Sequence, residues 1–341
     1  MTMFSRHDAE VALRVGASVG LPLFAILAVD RLDLAVYAAF GSLTCLYGHR
    51  ETGTARVETL VVAAAALIAT IAVATCFSAS HGPHWLLSIL LVTVVLTAGT
   101  LGVAMGWMPR GDLFFILVLL VASQAPIAWG KIPLALAVAV ASASLSILLR
   151  VAWHAGEGRE VLRLDGLRVR LVRGFATLDR RHHGVLILAA AVGVEAAWLL
   201  ALALGVGNPF WAPVTVAALT PALASEKVYR RAVHMVLGTL VGVGIATLLF
   251  SGDPNHVALI AIVVICQIAS ELFVTRQYGI ALLFLSPLAI GLSNLSRGLP
   301  WRPLLIERLI EAGLGVAVAL TVILIGRRVL TGRERRRQQP P

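Results

Sequence analysis

The chain has 341 residues, of which 59% are hydrophobic and 13% are charged, and its mean hydropathy is +0.89. Soluble domains carry about 25% charged residues, so this composition excludes a water-soluble protein and predicts an all-α integral membrane protein. The net charge of +10 lies at predicted helix ends and in two basic blocks, away from stacking aromatic residues. This distribution argues against a nucleic-acid partner.

Taken in chain order, the apolar runs predict about twelve transmembrane helices in two sets of six. The second and fifth segments of each set have only 14 to 16 residues, which predicts packed interior helices, half-spans or re-entrant segments. The first set lies near residues 11–29, 34–47, 58–77, 84–106, 112–125 and 132–151. The second set lies near residues 184–204, 209–223, 231–250, 256–274, 279–294 and 304–326.

The basic residues predict the orientation of these helices. With all twelve segments crossing, 23 of the 28 Lys and Arg residues share a side with the N-terminus, and four lie on the other side. Because basic residues resist translocation, the N-terminus, the C-terminus and the central linker are predicted to be cytoplasmic.

The two sets of helices resemble each other. A shift of 174 residues aligns Tyr37 with Trp211 and Arg56 with Arg230. Because six crossings return the chain to the same side, the sequence predicts two parallel six-helix repeats related by a pseudo-twofold axis along the membrane normal. The predicted domains are the first repeat at residues 1–151, a cytoplasmic basic linker at 152–183, the second repeat at 184–326 and a basic cytoplasmic tail at 327–341.

The linker supports two interpretations, a solvated charged connection or an amphipathic helix that lies on the inner leaflet. In the second interpretation the membrane-facing side chains are Val161, Leu164, Leu167, Leu171 and Phe175. The water-facing side chains are then Arg159, Arg163, Arg170 and Arg173.

Glu195 lies near the middle of a predicted span, where a charged side chain costs about 2.5–3.5 kcal/mol on insertion scales. Such a carboxyl group must be paired, hydrated or protonated. It is therefore either a proton-coupling group or a neutral residue that hydrogen-bonds a neighbouring helix. Glu271 is the second proton-coupling candidate. The weaker ionisable candidates, closer to a span end, are Glu307, Arg308 and Glu311.

Pairs of glycines recur at a spacing of four residues. One pair is Gly16 and Gly20 in the first set, and another is Gly238 and Gly242 in the second. Each pair leaves one strip of its helix without side chains. Such a strip lets another backbone approach closely, which predicts helix packing, with a substrate-facing groove as the alternative.

The most specific motif runs from Asn208 to Gly242. Its residues are Asn208, Pro209, Trp211, Thr215, Pro221, Arg230, Arg231, Gly238, Thr239 and Gly242. The motif strongly resembles the signature of the fusaric acid resistance family, also called the aromatic acid exporter family. The signature has Trp and Thr four residues apart, then Pro, then Arg ahead of a Gly-Thr-x-x-Gly run.

The resemblance implies a multi-pass protein of the bacterial inner (plasma) membrane that exports aromatic carboxylic acids. It implies a short form that lacks the large cytoplasmic domain of longer members. The candidates for the substrate pathway are Trp211, Thr215, Arg230, Arg231 and Thr239. Arg230 and Arg231 are explained equally well as cytoplasmic anchors.

No sequence motif points to an enzyme, because the chain has no phosphate-binding loop, metal-ligand motif or paired nucleophile and base. Accordingly, no catalytic residue, cofactor or metal is predicted. The leading interpretation is a proton-coupled secondary transporter that exports small organic anions and is surrounded by membrane lipids. The alternatives are a passive organic-anion channel and a non-transporting membrane scaffold subunit. The chain is predicted to act either as a homodimer or as a monomer whose repeats form a pseudo-dimer.

Overall fold

The computed structural model describes residues 6–48, 51–107, 112–153, 164–177, 180–220, 228–274, 276–295 and 298–338, and every regular element within these ranges is helical. The first half contains α1 (Arg6–Ala28), α2 (Ala35–Ser42), α3 (Gly53–Ser80), α4 (His84–Met105), α5 (Leu113–Gln124) and α6 (Ile132–Trp153). A linker helix, α7 (Leu164–Thr177), follows. The second half contains α8 (Arg180–Ala203), α9 (Trp211–Leu219), α10 (Val228–Phe250), α11 (His256–Val274), α12 (Tyr278–Leu295) and α13 (Trp301–Gln338).

Nine of the described helices are long and apolar enough to cross a membrane, namely α1, α3, α4, α6, α8, α10, α11, α12 and α13. This confirms the predicted all-helical, multi-pass membrane architecture. The twelve predicted spans correspond in order to α1–α6 and α8–α13. However, α2, α5 and α9 have only 8, 12 and 9 residues. A complete crossing needs about 20 residues, so twelve complete crossings stay a prediction.

The three short helices lie in the protein interior. Every residue of α2 is buried, and so are most residues of α5 and α9. The long helices instead expose large apolar side chains, such as Ile89 on α4, Leu188 on α8 and Leu248 on α10. An exposed surface of this kind suits hydrocarbon, whereas the ends of the short helices are screened from lipid by protein.

Two long helices of the first half end in left-handed backbone. His81, with φ +49°, follows α3, and Gly106, with φ +67°, follows α4. After Gly106, the N–H of Trp107 donates to the carbonyl oxygen of Gly102 at 2.8 Å. This bond satisfies a carbonyl group in the last turn of α4, and glycine adopts the required backbone angle without strain.

The packing partners in the two halves correspond. In the first half, α2 packs on α1 and α6, while α3 packs on α5 and α6. In the second half, α9 packs on α8 and α13, while α10 packs on α12 and α13. Between the halves, α1 packs on α11 and α8 packs on α4. The first helix of each half therefore contacts the fourth helix of the other half.

The contact between α1 and α11 depends on two glycines. A Cβ at Gly16 would overlap the side chain of Ile268, and a Cβ at Gly20 would lie 2.9 Å from Cγ2 of Val264. The side chains of α11 therefore fill the space above the bare strip of α1. This close contact joins the two halves of the chain.

Replacing Gly16 with alanine is expected to lower the midpoint of thermal unfolding in detergent, because overpacking of a close contact costs about 1–3 kcal/mol. Gly244→Ala on α10 is the matched control, since no described atom outside the local backbone lies within 4 Å of a Cβ at that position. Scanning fluorimetry measures both midpoints. The double variant Gly16→Ala/Ile268→Ala is expected to recover part of the loss. Equal midpoints for the Gly16 and Gly244 variants would contradict tight packing.

Two features of the structure depart from the predicted boundaries and faces. α13 continues as one helix to Gln338, past residue 326, where the sequence predicts the last span to end. The tail is rich in Arg, which favours helix. In the linker, Arg170 was predicted to face water, but it contacts the ends of α3 and α4. The linker residues Arg159, Val161 and Arg163 and the motif residue Pro221 lie outside the described residues.

Candidate functional site

The short helix α9 begins against α13. The first N–H groups of a helix have no partner within the helix. Here Oε2 of Glu311 accepts hydrogen bonds from the backbone N–H groups of Trp211 (2.6 Å) and Ala212 (3.0 Å). Gly315 permits this approach, because a Cβ there would lie 2.6 Å from the carbonyl oxygen of Ala212. Glu311 is 0% exposed, so a carboxyl group is held inside the protein at the positive end of a helix.

Arg308 lies three residues before Glu311 on α13 and is 5% exposed. Its guanidinium carbon lies 4.4 Å from the centre of the Trp211 ring, which is a cation–π contact. Nε and Nη1 of Arg308, and Oε1 of Glu311, find no hydrogen-bond partner among the described residues. A buried charged group without partners is costly. The guanidinium of Arg308 therefore keeps donors that no described residue uses.

The loop before α9 is also tied to α13. Nδ2 of Asn208 donates a hydrogen bond to the carboxylate of Glu307. A Cβ at Gly207 would overlap the same carboxylate, so only glycine fits there without a shift. We refer to the residues gathered around the start of α9 as the charged cluster. Its members are Asn208, Trp211, Glu307, Arg308 and Glu311.

A second aromatic contact with a cation lies where α10 and α12 begin. The guanidinium carbon of Arg231 lies 4.4 Å from the centre of the Tyr278 ring. The hydroxyl group of Tyr278 donates to Sδ of Met235 at 3.6 Å and interacts electrostatically with both Arg231 and Arg308. Arg230 is exposed. Of the two neighbouring arginines that the sequence singles out, Arg231 therefore lies on the packed side of α10.

A cavity of about 710 Å³ opens beside α2 and the ends of α3 and α5. Tyr37 and Phe77 supply aromatic walls, and Gln124 supplies an amide whose Nε2 has no partner among the described residues. A second cavity of about 290 Å³ shares Phe77 and Gln124 with the first and reaches Gly207. Because Gly207 lies against Glu307, the smaller cavity reaches the edge of the charged cluster.

The rim of the larger cavity carries a small charged network around Asp33. Nε of Arg31 donates to Oδ1 of Asp33 at 2.9 Å, and Nζ of Lys131 lies 3.5 Å from Oδ2. The hydrogen bond from Arg31 holds the pKa of the Asp33 carboxyl below its usual range. At neutral pH this carboxylate is therefore ionised and shared by two cations.

The two predicted proton-coupling residues lie outside the charged cluster. Glu195 on α8 is half-buried, and its Oε2 has no hydrogen-bond partner among the described residues. Glu271 on α11 lies in the contact between α1 and α11, where it interacts electrostatically with Arg14. Arg14 is 1% exposed, so it lies inside the protein rather than in a cytoplasmic segment.

The remaining predicted residues of the second half are buried among helices. Thr215 contacts Gly315 at the α9–α13 crossing, and Thr239 on α10 has an Oγ1 without a partner among the described residues. A Cβ at Gly238 or Gly242 would lie 2.8 Å from a carbonyl oxygen of α12. These glycines therefore face a neighbouring backbone.

Neither a candidate metal site nor a disulfide is found among the described residues. Within the described ranges, no group of three His, Cys, Asp or Glu side chains is placed to hold a metal ion. Cys45, Cys76 and Cys266 are free thiols, and Cys45 and Cys266 are buried.

The sequence underweights the charged cluster and indicates only part of the cavity lining. Glu307, Arg308 and Glu311 are weak candidates in the sequence because they lie near a span end, whereas the structure joins them to Asn208 and Trp211 across about 100 residues. Tyr37 has one sequence signal, its alignment with Trp211 in the predicted repeat. Phe77 and Lys131 have no such signal.

Comparison with known proteins supports the resemblance that the motif predicts. Residues 196–322 match the family model described as fusaric acid resistance protein-like, and this range contains the whole charged cluster. The chain is also similar to the uncharacterized membrane protein YvaC of Bacillus subtilis (strain 168), with 28% identity over 187 residues. That alignment covers 53% of this chain and 30% of YvaC, so the chain matches less than a third of this relative's length. No solved structure matches the chain.

Proposed function

We propose that the protein is a secondary transporter that exports small organic anions, principally aromatic carboxylates, across the bacterial inner membrane. The observation that carries this proposal is the buried guanidinium of Arg308, which stacks on Trp211 and keeps two N–H-bearing nitrogens unused. A substrate carboxylate would accept charge-assisted hydrogen bonds from these donors. The match of residues 196–322 to the fusaric acid resistance model supports the same class.

The proposal includes two parallel six-helix repeats with both termini in the cytoplasm. The corresponding packing partners of α1–α6 and α8–α13 support the duplication. The concentration of 22 of 28 basic residues on one side, with the buried Arg14 left out of the count, supports the orientation. In this orientation the larger cavity opens toward the outside, so it would serve as the exit from the charged cluster.

Coupling to protons is supported by the position of Glu311 beside Arg308. An ionised Glu311 competes with a substrate carboxylate for electrostatic attraction to the Arg308 guanidinium, whereas a protonated Glu311 does not. Proton binding and anion binding would therefore favour each other at this site. Glu195 offers a second carboxyl group inside a predicted span, with one oxygen unpartnered among the described residues.

The proposal is tested by flux of radiolabelled 4-hydroxybenzoate in proteoliposomes, with protein-free liposomes as the leak control. Saturable flux that rises with an imposed pH gradient is the expected result. Anion current that does not depend on the pH gradient would instead indicate a passive channel. Absence of protein-dependent flux, together with robust co-purification of envelope proteins, would instead indicate a scaffold subunit.

Glu195→Gln is expected to abolish the response of flux to the pH gradient while leaving membrane insertion and substrate binding intact. Glutamine keeps the volume and hydrogen-bonding capacity of the side chain but cannot titrate. Glu10→Gln, at an exposed position on α1, is the matched control and should respond as the wild type does. A Glu195→Gln protein that still responds to the pH gradient would remove Glu195 from the mechanism. The same substitution at Glu271 would then be measured.

A further inference from the structure

The linker helix α7 lies against the ends of α3 and α4. Gly174 on α7 touches the last turn of α4, where a Cβ would overlap the carbonyl oxygen of Ala104. Leu167 and Leu171 are partly buried and pack against the hydrophobic core. The helix therefore has one face committed to the protein.

Arg170 lies on the face of α7 that packs against the protein. Its guanidinium forms an ion pair with Glu51, which precedes α3. It also donates to the carbonyl oxygens of Ala55 on α3 (2.9 Å) and Met105, the last residue of α4 (3.0 Å). One side chain thus joins three segments at the place where two membrane-spanning helices end, and it prevents α7 from rotating about its axis.

The opposite face of α7 is apolar and flanked by charge. Val169, Val172 and Phe175 are 54%, 63% and 43% exposed and follow one another at three-residue intervals, so they lie along one side of the helix. Arg168 and Arg173 are exposed on the two borders of this stripe. We call these five residues the outer face of α7.

We propose that the outer face of α7 binds anionic phospholipid of the leaflet that surrounds the ends of α3 and α4. Two arginines at the borders match phosphate headgroups, and the three apolar side chains between them match the upper part of the acyl chains. α4, on which α7 rests, exposes apolar side chains such as Ile89 and Leu96 along its length. Both α7 and the helix on which it rests therefore expose apolar side chains.

The proposal is tested on the full chain in detergent micelles, with a polarity-sensitive fluorophore on a single cysteine introduced as Val172→Cys in a cysteine-free background. Dioctanoyl phosphatidylglycerol is expected to shift the emission to the blue at much lower concentration than dioctanoyl phosphatidylcholine. Arg168→Gln/Arg173→Gln is expected to weaken the apparent affinity for phosphatidylglycerol by about 30-fold, from about 1 kcal/mol for each arginine near an anionic surface.

The matched control removes two positive charges from the other end of the helix bundle. Lys131→Gln/Arg302→Gln should leave the response to phosphatidylglycerol unchanged, because Lys131 lies at the cavity rim and Arg302 is exposed at the start of α13. Equal responses to the two lipids in the wild type would overturn the proposal. So would a label that responds to neither lipid, or an unlabelled Val172→Cys protein that forms a disulfide-linked dimer, since the outer face would then be in water or covered by protein. None of these results depends on transport activity.

Discussion

Arg308→Gln is expected to raise the KM for 4-hydroxybenzoate flux by about 10- to 100-fold, because a hydrogen bond to a charged group contributes about 1.5–3 kcal/mol. Arg308 is the buried cation with unused donors, so an amide in its place loses both the charge and the fork of N–H groups. Arg308→Lys is expected to fall between the wild type and the glutamine variant. Lysine keeps the charge but neither stacks flat on Trp211 nor binds a carboxylate with two parallel bonds.

Arg302→Gln is the matched control for this experiment, because Arg302 lies on the same helix, six residues earlier, with an exposed side chain. Its KM is expected to equal that of the wild type. Thermal midpoints of both glutamine variants separate loss of binding from loss of folding, which matters because Arg308→Gln leaves the buried Glu311 without its neighbouring cation. A KM for Arg308→Gln within twofold of the wild-type value, with flux intact, would exclude Arg308 as the substrate site.

Two substitutions of Glu311 are expected to give opposite results. Glu311→Leu removes the acceptor for the N–H groups of Trp211 and Ala212, and each buried unsatisfied group costs about 1–3 kcal/mol. This variant is expected to lose most of its folded yield, measured as the monodisperse fraction in size-exclusion chromatography. Glu311→Gln keeps an amide oxygen that accepts both hydrogen bonds, so it is expected to fold.

The folded Glu311→Gln protein then reports on the charge alone. Without a carboxylate beside Arg308, its KM is expected to fall below that of the wild type and to lose its dependence on pH. Glu10→Leu, at an exposed position, controls for the exchange of an acid for leucine and should keep its yield. A Glu311→Leu protein as abundant and as stable as the wild type would show that the hydrogen bonds to α9 contribute little to folding.

The predicted helices and the observed helices agree because hydropathy and chain breaks are local properties of a sequence. The predicted span at residues 256–274 coincides with α11 (His256–Val274), and the predicted span at 84–106 differs from α4 (His84–Met105) by one residue. Agreement is poorer for α9, which ends at Leu219 although the apolar run continues. It is also poorer for α13, which continues into the charged tail because helix propensity, unlike hydropathy, does not end at residue 326.

The packing of α7 shows why the hydropathy pattern alone did not predict which side of the linker helix faces the protein. The sequence predicts that Leu167, Leu171 and Phe175 share a membrane-facing side, with Arg170 on the water-facing side. In the structure, Leu167 and Leu171 face the protein together with Arg170, while Phe175 is exposed. A neighbouring acid, Glu51, and the carbonyl oxygens of Ala55 and Met105 make the protein side favourable for arginine, and these groups come from segments at least 60 residues away.

By itself, the sequence determined that this is an all-helical membrane protein, where most of its helices lie, and which family model its second half matches. Those properties follow from composition, from runs of about 20 apolar residues and from a contiguous motif. Only the tertiary structure decided that Glu311 caps α9, that Arg308 stacks on Trp211, and that Tyr37 and Gln124 line a cavity. Each of these contacts depends on the rotation and depth at which two helices pack, and neither quantity is encoded in the local pattern of one helix.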